Sequence, residues 1–284
     1  MQPTLIFDMD GVIVDTRQSY CKLLVDCYKH FSGQEITYEK DVIPIKRLGG
    51  YNNDWDILDL LFKRNGFDVD YKDIMKFYAE RYCDKNFEGY INIEEPIIDK
   101  NYIADLNEKY NLTIFTGRYE HEAKHTLKRF GIIDYFTKIV GFESVGEGFQ
   151  KPNPKGVNII KSGVTSDRIY YMGDTVDDIM AAKAGGVIGV ACLPPQDKSE
   201  TLVERLKAEG AYAVLNSTVE LKEFLAKDLQ SLAIKNWYSR IINTVRRKLW
   251  RWYAMLDATR KEVQNAKNEN TQIRCKTLQS NWNR

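Results

Sequence analysis

Paired cysteines are missing from this chain. Five occur (Cys21, Cys27, Cys83, Cys192 and Cys275), an odd number, widely scattered and without a CxxC pair, so no disulfide framework or zinc ribbon can be read. The pattern predicts reduced thiols in a cell interior and argues against a zinc or redox role. Histidine is scarcer still. Of His30, His121 and His125, only the last two stand at i, i+4, and they read as a solvated helix face. The opening Met1-Gln2-Pro3-Thr4 has no basic stretch, and only three apolar residues precede Asp8, so no signal peptide is expected. No window approaches the roughly 20 apolar residues that a membrane span needs. The expected compartment is the cytoplasm.

What is present is a globular composition. The 284 residues are 43% hydrophobic and 29% charged, which suits one large domain or a core with a smaller insert. The formal net charge of +1 conceals an asymmetry: residues 231–284 hold 12 Lys/Arg against 3 Asp/Glu, leaving 29 against 37 in residues 1–230. Four of the five tryptophans (Trp237, Trp250, Trp252, Trp282) also fall in that basic tail, so the composition break near 230 marks a candidate domain boundary.

Along the acidic body, apolar runs alternate with amphipathic segments. Strands are expected at Thr4 to Phe7, Leu112 to Thr116, Ile139 to Gly141, Ile169 to Met172, Gly189 to Cys192 and Ala213 to Leu215, with helices at 119–130, 154–162 and 176–185. Strand and helix alternating in this way predict an α/β fold, a doubly wound parallel sheet with helices on both faces. The first interval breaks the rhythm. About 95 residues separate the first two strands, and 16–31, 54–65 and 70–84 carry apolar residues at helical spacing, which predicts an inserted helical cap. The expected organisation is therefore a core of 1–15 and 96–226, a cap of 16–95, a basic amphipathic helix over 231–265, and a polar, aperiodic and disordered 266–284.

Four polar groups fall at the ends of these strands. Asp8-Met9-Asp10-Gly11 follows Leu5-Ile6-Phe7, and residues i and i+2 of an extended chain share a face, so the two carboxylates converge. Carboxylates so close need a cation, a proton or two different roles. Thr116-Gly117-Arg118 ends the second strand, Lys151-Pro152 precedes the helix of 154–162, and Gly173-Asp174-Thr175-Val176-Asp177-Asp178 ends the fourth strand. Singly each has an ordinary explanation: a surface turn, a Thr-Gly turn, a stray Lys-Pro, acids favoured at a helix N-terminus. Together they set a nucleophile, a hydroxyl with nearby N–H groups, a lysine and an acidic pair around one edge of the sheet. Phosphoryl transfer needs that set.

In this order the residues resemble the haloacid dehalogenase superfamily, over 4 to about 226, and its phosphoglycolate-phosphatase-like branch through Gly173 to Gly186 and the helical cap. The resemblance implies a phosphatase acting on a small phosphomonoester, a sugar phosphate or phosphoglycolate-like metabolite, through an aspartyl phosphate. Asp8 would be the nucleophile and Asp10 the general acid and base. Asp8, the Asp10 carbonyl, Asp174 and Asp178 would hold Mg²⁺. Thr116 and the Gly117 N–H would bind phosphoryl oxygens, and Lys151 would join Asp8 to the phosphate.

The acid at Asp10 and the acids at Asp174 and Asp178 argue against halide release. A phosphosugar mutase of the same superfamily is the alternative enzyme, although Tyr20 and Asn53 stand where it would carry a His and a cap Arg. A non-catalytic partner- or membrane-binding module on a phosphatase-like fold is the alternative from another class. Arg47-Leu48-Gly49-Gly50-Tyr51-Asn52-Asn53-Asp54-Trp55 falls where capped members place their specificity loop, making Arg47, Asn52 and Asn53, with Arg118, candidate substrate contacts. Asn53 or Asp54 serves equally as a helix cap.

In the tail, Ile242, Val245, Leu249, Trp252, Leu256, Thr259 and Val263 fit a seven-residue repeat, with Arg240, Arg246, Arg247, Lys248 and Arg251 beside them. Docking or oligomerisation and peripheral contact with an anionic membrane both fit. The acidic body argues against nucleic acid.

Overall fold

The short run Thr4–Phe7 forms β1, and all four residues are buried. A strand apolar on both faces belongs in the middle of a parallel sheet. The computed structural model describes residues 2–51 and 53–282. After β1 the chain turns at Gly11, whose φ of +71° strains any residue with a side chain, and enters β2 (Val14–Asp15). This pairs antiparallel with β3 (Glu95–Pro96), Val14 opposite Pro96 and Asp15 opposite Glu95.

Everything between those two short strands is helical or loop: α1 (Tyr20–Ser32), a π-helical turn at Tyr38–Val42, α2 (Ile43–Lys46), α3 (Asp54–Arg64) and α4 (Tyr71–Arg81). These elements bury a cluster of their own, in which Tyr28 and Phe62 stack with ring centroids 4.9 Å apart beside Leu24, Ile57, Ile74 and Phe77. A self-contained apolar cluster is what an inserted segment needs to hold its shape against the sheet.

The chain then alternates as expected: α5 (Lys100–Asn107), β4 (Asn111–Phe115), α6 (Glu120–Arg129), β5 (Phe136–Val140), α7 (Phe142–Val145), α8 (Lys155–Lys161), β6 (Ile169–Gly173), α9 (Val176–Ala184), β7 (Ile188–Cys192), α10 (Glu200–Glu209), β8 (Ala213–Leu215) and α11 (Leu221–Trp282). The six longer strands form one parallel sheet in the order β5-β4-β1-β6-β7-β8. This is a doubly wound, Rossmann-like sheet. Val157, Ile160, Ala181 and Ala182 of α8 and α9 pack with Ile6, Phe115 and Tyr171, while Phe7 meets Phe136 edge to face at 6.3 Å. The order reverses at β1, which puts the ends of β4, β1 and β6 side by side at the switch point where such sheets bind ligands.

The chain divides into Met1–Lys222 and Glu223–Arg284. The second unit lies in α11, which runs unbroken past the composition break at 230 and across 266–282, where polar composition predicts disorder. Residues 221–282 contain no Gly or Pro, so nothing in their backbone chemistry stops a helix once begun. Among the described residues no helix is long and apolar enough to cross a membrane.

Candidate active site

Asp8 stands one residue past β1, and its N–H donates to Met172 O at 2.9 Å, which ties it to the end of β6. Its carboxylate is buried, with Lys151 Nζ 2.8 Å from Oδ1. The same ammonium lies 2.7 Å from Asp178 Oδ1, which also accepts from the Tyr171 hydroxyl at 2.6 Å. Asp178 Oδ2 accepts from Thr175 Oγ1 (2.7 Å), Thr175 N (3.0 Å) and Asp174 N (3.2 Å). Local sequence explains the last group. Thr175 caps α9 and Asp178 is its third helical residue, so the two satisfy each other's N–H groups reciprocally. Gly173 leaves room for this, since a Cβ there would lie 2.2 Å from Asp178 Cβ.

Burial pushes the Asp8 carboxyl up to about 7, with Lys151 restraining the rise and Asp178 and Asp10 adding to it. Burial, then Asp178 and Asp8, drive Asp174 well above the usual carboxylate range. Burial opposes the charge of Asp178 as well, but Lys151, Thr175 and Tyr171 bind the ionised form and hold it below its ordinary value.

Asp8, Asp174 and Asp178 each offer a carboxylate oxygen within 4.8 Å of the others. Among the described residues the ammonium in contact with these three acids is that of Lys151, while Lys46, paired with Asp54 at 2.8 Å, acts on Asp174 from farther away. Asp174 Oδ1 is buried without a hydrogen-bond partner among the described residues. An orphaned oxygen in an uncompensated acidic cluster is costly, and a hard divalent cation with oxygen ligands is the group this donor set fits.

Thr116 follows β4 directly. It is buried, and its Oγ1 accepts from Arg118 N at 3.2 Å, while Gly117 beside it is exposed. The adjacency of β4, β1 and β6 therefore brings Thr116, Asp8 and Asp174 to one edge, as the motif order implies.

Arg118 differs from expectation. It is buried rather than facing the cleft, and its guanidinium binds two acids at once. Nε donates to both oxygens of Asp10 at 3.1 Å, Nη2 also bonds Asp10 Oδ1, and Nη2 and Nη1 reach Glu94 Oε1 and Oε2 at 2.8 and 3.0 Å. Glu94 is fully buried and also accepts from Tyr82 and Thr126. Arg118 thus orients Asp10 instead of presenting a free cation.

Other candidate substrate contacts are similarly engaged. Arg47 makes a two-pronged pair with Asp197, 2.8 Å on each arm, and donates to Ser199 Oγ at 2.8 Å. Asn53 caps α3 by accepting from Trp55 N at 2.9 Å and donates to the Tyr71 hydroxyl at 3.3 Å, so the helix-cap role is occupied. Asn52 lies outside the described residues. Asp177 lies in the first turn of α9, where an acid suits the helix end, and it also accepts from Gly50 N at 2.7 Å, which fastens the cap loop to the sheet edge. Glu94 and Tyr171 were invisible as site residues. Neither belongs to a spaced motif, and only the fold brings them in.

A doubly wound sheet bearing a helical insert, with a carboxylate–lysine–carboxylate cluster at the carboxyl edge of its strands, defines a capped, Rossmann-like α/β protein with its candidate site at the switch point. Residues 5–192 match the family model for haloacid dehalogenase-like hydrolases, and the chain belongs to that family. It is 28% identical over 213 residues to an imidazoleglycerol-phosphate dehydratase of Phytophthora nicotianae, covering 72% of this chain but only 46% of that protein. It is likewise 28% identical over 196 residues to a phosphoglycolate phosphatase of Mesorhizobium japonicum, covering 67% of this chain and 82% of that one. The structure of a haloacid dehalogenase-like hydrolase from Streptococcus pneumoniae superposes with a TM-score of 0.59 at 15% identity, covering 79% of this chain and 98% of that one, a likeness of fold.

Proposed function

We propose that this protein is a Mg²⁺-dependent phosphatase that hydrolyses a small phosphomonoester through an aspartyl phosphate. The observation that carries the reading is Asp8, buried at the end of a central strand with Lys151 Nζ at 2.8 Å and the acids Asp174 and Asp178 behind it. A carboxylate attacks a phosphate dianion only if the mutual repulsion is neutralised. Lys151 supplies one positive charge in fixed position. Asp8, Asp174 and Asp178, with the Asp10 main-chain carbonyl, would hold Mg²⁺, which when bound offsets the remaining negative charge.

An Asp8 oxygen forms the bond to phosphorus as the bond to the leaving oxygen breaks. Asp10, oriented by Arg118, gives its proton to that oxygen. Water then attacks the aspartyl phosphate, Asp10 takes a proton from it, and phosphate leaves with Asp8 regenerated. Thr116 Oγ1 and the Gly117 N–H bind phosphoryl oxygens throughout. The relative named a phosphoglycolate phosphatase supports a small anionic phosphoester as substrate. Asp8→Asn removes the nucleophile, and its turnover of a panel of metabolite phosphates with Mg²⁺ should fall to background. Retained turnover, or full activity of the native chain in a chelator, would overturn the mechanism.

A further inference from the structure

The family fold accounts for the first unit of the chain and leaves the second without a role. Between 231 and 256 the sequence has six Lys/Arg and no Asp/Glu, and the whole stretch is helix within α11. At 100° per residue, Tyr238, Ile241, Ile242, Val245, Leu249 and Trp252 fall within an arc of about 100°. These six side chains are 39–58% exposed. Arg246 and Lys248 fall one on each margin of the arc, and Arg240, Arg247 and Arg251 lie opposite it. The helix is therefore apolar along one stripe, cationic at both borders, and supplied with Trp and Tyr whose rings have an apolar body and a polar edge.

We infer that residues 231–256 lie in the plane of an anionic lipid bilayer surface and hold the enzyme there. The apolar stripe enters the acyl boundary, while the aliphatic stems of Arg246 and Lys248 follow it and place their charges at the headgroup phosphates. Charge decides between occupants. Two copies of this helix side by side would bring six cations against six with no carboxylate between them, whereas an anionic surface neutralises both margins at once. Nucleic acid would satisfy the cations and leave the apolar stripe in water. Six charges in 26 residues also exclude spanning, in keeping with the absence of any membrane-crossing helix among the described residues.

The test uses the full chain and two kinds of vesicle, phosphatidylcholine alone and phosphatidylcholine with phosphatidylserine. The protein should float with the anionic vesicles, be released at high salt, and show a blue shift of tryptophan emission on binding. Arg246→Gln with Lys248→Gln should weaken partitioning roughly 30-fold, at about fivefold per cation. Leu249→Ala with Trp252→Ala should abolish the emission shift. Both double variants should keep the solution rate on a soluble phosphoester, which shows that the first unit is intact. Equal binding to both vesicles, no binding to either, or a dimer by light scattering that the Leu249→Ala, Trp252→Ala variant dissolves would each overturn the inference, the last in favour of a second copy.

Discussion

Arg118 offers the sharpest energetic prediction. Its guanidinium is the cation bound to Glu94, a carboxylate with no solvent exposure whose other partners are the hydroxyls of Tyr82 and Thr126. Arg118→Met keeps the length of the side chain and deletes its charge. Glu94 is then a buried carboxylate with two neutral donors, and removing one partner of a buried pair costs about 3–5 kcal/mol. Asp10 adds little to that figure, since its side chain is one-third exposed and water can replace the lost pairing. A loss of that size is a third or more of the stability of most domains. Adding Glu94→Gln removes the uncompensated charge and leaves an amide that the same hydroxyls can bond, so the double variant should lie within about 1–2 kcal/mol of the native protein. Urea unfolding followed by far-ultraviolet circular dichroism measures all four corners of the cycle. Tryptophan emission would not serve, because four of the five tryptophans lie in the tail. A single-variant loss below about 1 kcal/mol, or a double variant as unstable as the sum of the two singles, would refute the claim that Glu94 depends on Arg118.

Asp10→Asn should slow an alkyl phosphate far more than p-nitrophenyl phosphate, whose leaving group needs no acid; equal losses on both would remove Asp10 from that role. Gly11→Ala would put a methyl group 2.2 Å from Asp174 Oδ2 at a φ of +71°. The Mg²⁺ concentration for half-maximal rate should then rise at least about tenfold, the order seen when a metal ligand's support is lost, and an unchanged Mg²⁺ dependence would count against Asp174 as a ligand. Gly156→Ala would drive a Cβ to 2.1 Å from Phe115 Cε2 in the sheet-facing core. It should cost about 1–3 kcal/mol in thermal unfolding with little change in the catalytic constants of the folded fraction.

The parallel strands were legible because each is a short apolar run closed by a turn or a polar motif. Their ends shift by one residue in most cases and by three where β5 begins at Phe136 rather than Ile139. The core of the site was legible for a related reason: Asp8, Thr116 and Asp174 each follow such a run, so a strand reading fixes their place, whereas Lys151 stands in the loop before α8 and was placed by the order of the motifs. Residues whose role comes from long-range pairing were not. Arg47 looks like a free cation in a loop until Asp197, 150 residues away, binds it. Arg118 looks like an exposed helix-start residue until Glu94 arrives from the far end of the cap. The two-residue strands β2 and β3 carry no periodicity at all, and their pairing follows from the enclosed helices rather than from their own composition.

Those two strands give the insert a double root. The chain enters and leaves its helical insert on paired neighbours, and the Gly50–Asp177 and Arg47–Asp197 contacts hold its far side to the core. Asp8 is bolted to the sheet through Met172, whereas Asp10 bridges to Val14 of the ribbon and is gripped by the arginine that also holds Glu94, next to Glu95 of the same ribbon. Under the proposed mechanism the attacking oxygen is thus mounted on the central sheet and the proton donor at the root of the insert, so the two groups are held by different parts of the fold.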